Sequence, residues 1–150
     1  MKKSEIKRAL DALKTVKIHS IEDKSFRNDL ISDHIYLLGQ QKAFESDTKD
    51  LETVHLGAFE EERREVGELQ LRMQEEPDPA KRRELEAKVK AHTELIKAIG
   101  EYNKAYYELG QQEIEIPKPI AADDFIKGME GQDYDLGLVE AVFPMFATTN

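Results

Sequence analysis

No cysteine occurs in the 150 residues, which excludes disulfides, thiolate nucleophiles and thiolate-bound metals together. Tryptophan is also absent and aromatic residues make up only 7 %, so any core must be thin and mainly aliphatic. No apolar run approaches the roughly 20 residues of a membrane-spanning helix. The opening Met1-Lys2-Lys3-Ser4-Glu5 lacks the apolar stretch of a signal peptide, which points to a cytoplasmic protein. Positive charge is in deficit: 22 basic against 31 acidic residues leave a net charge of −9. That balance argues against non-specific binding to nucleic acid or to an anionic membrane. Proline is scarce as well, and the first one is Pro77.

Apolar residues are present in helical periodicity. Ile6, Leu10, Leu13 and Val16 recur at spacings of three and four behind Ser4, a plausible N-cap. They predict a first helix over about 4–17, with Lys3, Lys7, Lys14 and Lys17 on its solvated side. Ser20 with Asp23 resembles a capping arrangement, and a second helix is expected from about 21 to 76. Along it Leu30, Leu37, Phe44, Leu51 and Ala58 repeat every seven residues, with Ile31, Leu38, Phe59, Val66, Leu69 and Met73 beside them. Such a repeat keeps one seam facing a partner helix. Its weak stretch is Ser46-Asp47-Thr48-Lys49-Asp50, a cluster of poor helix formers.

Pro77-Asp78-Pro79 then stops the chain, with Asp78 as cap and Pro79 in the first turn of a third helix that ends at Gly110. An antiparallel return about Asp78 sets residue i against about 156 − i, so Val66 meets Val89 and Phe59 meets Ile96. On that register Leu51, Phe59, Val66, Leu95, Ile96 and Ile99 should be buried. A similar turn at His19 and Ser20 sets Phe26 against Leu13 and Leu30 against Ala9. The fold expected is mainly α: a long helical spine shared by two antiparallel, coiled-coil-like hairpins, with a short irregular α/β tail. In domain terms, residues 1–150 read as one elongated domain. Residues 46–110 form a hairpin arm, and 1–45 with 111–150 form a smaller packed head.

The tail begins with Glu113-Ile114-Glu115-Ile116, which alternates as a short strand does, and Pro117 and Pro119 end it. Short helices are expected over about 122–127 and 136–143. The tail is acidic and the first helix basic, which favours docking of one on the other. The apolar run Val142, Phe143, Met145 and Phe146 either closes that smaller core or forms a partner-binding surface.

Chemistry-bearing patterns are few. Glu52 and His55 have the Glu-x-x-His spacing of carboxylate-bridged metal sites in helical bundles, and the hairpin register brings Glu101 close. The second such pair that these sites require is missing, so no metal or cofactor is expected and an ordinary polar contact is the simpler reading. The same register puts His92 near Arg64, and the turn at His19 and Ser20 puts His34 opposite Glu5. Asp133-Tyr134-Asp135-Leu136-Gly137 faintly echoes a calcium loop but lacks its ligands, and reads as a turn and helix cap. There is no glycine-rich phosphate loop. Tyr102, Tyr106 and Tyr107 suit a helix-packing surface better than base stacking in an acidic protein.

The stretch Ile21-Glu22-Asp23-Lys24, followed by Arg27-Asn28 and Ile31-Ser32-Asp33-His34, resembles a segment of small uncharacterised helical proteins of bacterial prophage-like elements. The resemblance implies an accessory or assembly role and transfers no function to any residue. The expected function is therefore a non-enzymatic helical interaction or structural protein with a protein partner or a second copy of itself, most simply a homo-oligomer. The alternative is a cryptic metal-dependent enzyme using Glu52, His55 and Glu101.

Overall fold

The computed structural model describes residues 1–147, and these are mainly α-helical. The helices are α1 (Ile6–Leu13), α2 (Lys24–Leu56), α3 (Glu60–Glu75), α4 (Pro79–Ala91), α5 (Thr93–Gln111), α6 (Ala122–Gly128) and α7 (Leu136–Val142). Two compact units result: Met1–Ser46 with the chain from Leu109 onward, and Asp47–Glu108.

In the first unit the chain opens with a 3-10 turn, Lys3–Glu5, before α1. Ser4 is not the cap. The Glu5 carboxylate instead accepts from the Lys2 amide at 2.8 Å. α1 also stops at Leu13, short of the expected Lys17. Three-residue hydrogen bonds from Thr15 N to Ala12 O (3.0 Å) and from Val16 N to Leu13 O (3.1 Å) tighten its end. Asp23, not Ser20, caps α2: its Oδ1 accepts from the amides of Ser25 (2.8 Å) and Phe26 (3.0 Å). The Ser20 hydroxyl is spent on the Lys17 carbonyl at 2.7 Å.

One core unites both ends of the sequence. Ile6, Leu10 and Leu13 of α1 share it with Phe26, Leu30 and Leu37 of α2, and with Phe125, Met129, Leu138, Val142 and Met145. The apolar end of the chain is thus folded into this unit, with α7 packed on α1. An Arg8–Glu140 ion pair at 3.3 Å joins these two helices but is open to solvent, and so contributes little. The expected strand is an extended segment bridged to the N-terminus. Lys3 N donates to Gln112 O (2.9 Å) and Ile114 N to Met1 O (2.8 Å), while Ile114 and Ile116 turn inward and Glu113 and Glu115 outward. Further on, Ala147 N donates to Ile120 O at 3.0 Å beside a parallel bridge between Ile120 and Phe146. Gly128 lies directly under the Phe26 ring, where an added Cβ would overlap ring atoms.

The second unit takes up the rest of the long helix expected over about 21–76, which is present as one helical stretch from Lys24 to Glu75. The chain is helical without a break through Ser46–Asp50, and the departure from α geometry falls at Gly57–Phe59, a 3-10 turn between α2 and α3. Gly57 supplies the weak point, since glycine loses the most backbone freedom in a helix. The seven-residue seam fades there too, with Leu51 half-buried and Ala58 exposed. The third helix is two helices, divided at His92, whose ψ of 59° is not helical. Asp78 caps α4 as expected, accepting from Ala80 N at 2.9 Å, with Pro79 in the first turn. α3 and α4 pack together through the Pro77 turn. His92 Nδ1 lies 3.3 Å from Glu62 Oε2, two residues from the expected Arg64.

Leu56, Leu85, Leu95 and Ala98 are buried in this unit, whereas Ile96 is 49 % exposed, against the expectation of burial. Leu51, Phe59, Val66 and Ile99 are half-buried. The joint at His92 re-phases α5, so Leu95, Ala98 and Tyr102 turn inward instead of Ile96 and Tyr106. Leu95→Ala is therefore expected to cost about 2–5 kcal/mol in chemical unfolding. Ile96→Ala should cost clearly less, and the reverse ranking would mean that α5 is rotated to bury Ile96. Gly128→Ala should lower the melting temperature of the first unit, because the Phe26 ring must move to admit a methyl group.

Candidate functional site

Between residues 24 and 46, α2 presents two different faces. The inner one carries Phe26, Leu30, Asp33, Leu37 and Phe44, all buried. The outer one carries Lys24, Asn28, Ile31, Ile35, Leu38, Lys42 and Glu45, all exposed. The outer positions are spaced alternately by four and three residues, the spacing of a coiled-coil seam. Its centre is apolar, with Ile31 38 %, Ile35 65 % and Leu38 43 % exposed. Gly39 follows Ile35 by one turn, and a Cβ built there would meet nothing within 4 Å. Periodicity sets Ile31 and Leu38 beside the buried repeat, and Ile35 belongs to neither of the rows expected from it. The signal that could have found the exposed row is a second seven-residue repeat offset from the first.

The inner face holds one charged residue. Asp33 is fully buried, and its Oδ1 accepts from the Lys118 amide at 3.0 Å. Among the described residues, Oδ2 has no hydrogen-bond partner. Burial pushes its carboxyl up to about 6, reinforced by Asp29 and opposed by the Lys118 amide and ammonium. Next along the chain, His34 has its basicity lowered by burial and by Lys14, and the Glu5 carboxylate accepts from the Lys2 amide.

The residues singled out for metal chemistry are not assembled into a site. Glu52 pairs with Arg63 at 2.9 Å, His55 is half-buried and Glu101 is exposed. Among the described residues no three His, Asp or Glu side chains are placed to hold a metal ion. In the 133–137 loop, Asp135 accepts from Leu138 N at 2.9 Å and caps α7. Of the run considered for partner binding, Val142 and Met145 are buried in the first unit and Phe146 packs at 5.1 Å from the Phe125 ring. Phe143 alone of the four is exposed, at 66 %. Tyr102 and Tyr106 stack at 6.1 Å, while Tyr107 faces solvent.

A consequence of Asp33 is measurable. Because its folded pKa lies above the ordinary value of 3.8, the native state holds the proton more tightly than the unfolded chain. Its contribution therefore favours folding at low pH and is lost as pH rises through about 6, a swing on the order of 3 kcal/mol. Relative to the parent, Asp33→Asn should be more stable at pH 7.5 than at pH 4.5 in urea unfolding. A difference independent of pH would show that Asp33 ionises normally.

Comparison with known proteins finds no matching family model, no matching curated protein and no matching solved structure.

Proposed function

We propose that this protein is a non-enzymatic helical interaction protein that works in the cytoplasm by docking apolar side chains onto another protein chain. The observation that carries the reading is the row Ile31, Ile35 and Leu38, exposed on a helix whose opposite face already closes a core. In a chain with 35 % charged residues, three large aliphatic side chains aligned on one exposed face are a costly arrangement unless something covers them. Phe143, exposed at the end of α7, offers a second, smaller contact. The segment resembling helical proteins of prophage-like elements, residues 21–34, contains the first part of the row. On that ground we assign the protein an accessory or assembly role in such an element.

Site-specific photocrosslinking in the producing cell tests this. A photoreactive phenylalanine analogue at position 35 should give discrete protein adducts, and one at the exposed Lys81 should not. Equal yields from both positions, or adducts formed mainly with nucleic acid, would count against the proposal.

A further inference from the structure

Resting on that reading, we propose that the outer face of α2 seats a second copy of this chain in an antiparallel, two-fold symmetric dimer. Four features of the face favour a second copy and this orientation. First, the alternating spacing of four and three runs unbroken from Lys24 to Glu45, so the row stays on one side of the helix along its length.

Second, the order of its charges distinguishes the two possible directions. A parallel, in-register pair would set Lys24 against Lys24, Lys42 against Lys42 and Glu45 against Glu45, all like charges. An antiparallel pair with its axis between Tyr36 and Leu37 sets Ile35 of one copy against Leu38 of the other. Asn28 then faces Glu45, and Lys24, one turn before Asn28, reaches the same carboxylate. Within the chain Glu45 Oε1 accepts from Gln41 at 2.9 Å, and Oε2 is the atom offered to the other copy. Ile31 faces Lys42, whose methylene stem covers it while the ammonium stays in water.

Third, Ser32 and Gly39 lie on the same flank of the row and face one another across this pairing. Small residues there let two helix backbones approach closely.

Fourth, nothing among the described residues of its own chain packs where a Gly39 side chain would stand. Gly39 sits in the middle of α2, where glycine weakens a helix by about 1 kcal/mol relative to alanine, and no atom within 4 Å requires its missing side chain. Ile31 of the other copy, next to Ser32 in the chain, gives the gap an occupant.

The absence of cysteine makes the register directly testable in the full chain. Sedimentation over a concentration series should show a monomer–dimer equilibrium. Ile35→Lys, and independently Leu38→Gln, should weaken it by about tenfold or more while leaving the melting temperature of the dilute monomer unchanged, because each puts a polar group into a desolvated contact. Lys24→Glu should weaken it too, and adding Glu45→Lys should restore it. When equal amounts of Ile35→Cys and Leu38→Cys chains are mixed and oxidised, the mixed disulfide should exceed either self-disulfide by clearly more than the twofold excess that random pairing gives. A parent that is monomeric at every concentration, or a dimer indifferent to both core variants, overturns the proposal. So does a predominance of self-disulfides. Photocrosslinks from position 35 to a different protein, with a monomeric parent, would overturn the second copy as occupant while leaving the interaction reading intact.

Discussion

The inner face of α2 is the constraint on which the first unit depends. Apolar side chains are scarce in this chain, and Phe26, Leu30, Leu37 and Phe44 concentrate them along one line of one helix. α1 and the segments from Ile120 to Met145 all contribute to the core that Phe26, Leu30 and Leu37 share. Asp33 interrupts the line with a carboxylate, at a cost in desolvation that a single amide from Lys118 only partly offsets. That amide belongs to the Pro117-Lys118-Pro119 stretch, so the buried acid also fixes where the returning chain crosses the helix. Stability is thereby exchanged for a defined path.

The second unit is organised differently. Few of its side chains are fully buried, and much of its surface is paired charge, as in Arg63–Glu52 and Lys90–Glu86. Exposed ion pairs of this kind are worth little singly. The unit's order therefore rests on its few buried aliphatic residues, Leu56, Leu85 and Leu95, and on the cap at Asp78.

Helix existence was legible in the sequence, because periodicity reports a continuous apolar face. Interruptions were less so. Ser46–Asp50 looks weak by propensity yet stays helical, while Gly57 opens a 3-10 turn within the long helix and His92 breaks a helix inside an otherwise periodic stretch. Propensity is a small term that neighbouring packing overrides, and a one-residue change of phase at His92 suffices to exchange Leu95 for Ile96. Caps were legible where the chemistry was unambiguous, at Asp78, and misplaced where two candidates stood close together, at Ser20 and Asp23. The candidate surface on α2 was half visible. Ile31 and Leu38 stand out as apolar positions, but an apolar residue on a helix reads as core until the opposite face is known to be filled. Asp33 gave no sign at all, since burial of an acid depends on where distant Lys118 comes to lie.

The first unit is assembled from two pieces of chain that lie far apart in sequence. Ile6 and Leu10 enter the same core as Val142 and Met145, so during synthesis the N-terminal helices wait for nearly the whole polypeptide to be made. Closing Asp47–Glu108 as random chain would cost on the order of 4 kcal/mol in entropy. The intervening unit, whose α3 and α4 are neighbours in sequence, needs no such wait. Its contacts are local and form early, which shortens the disordered loop that the discontinuous core must bridge. The exposed aliphatic row on α2 emerges from the ribosome well before Phe125, Leu138 and Val142 exist to cover its inner face, so the nascent chain passes through a stage in which α1 alone can shield that helix.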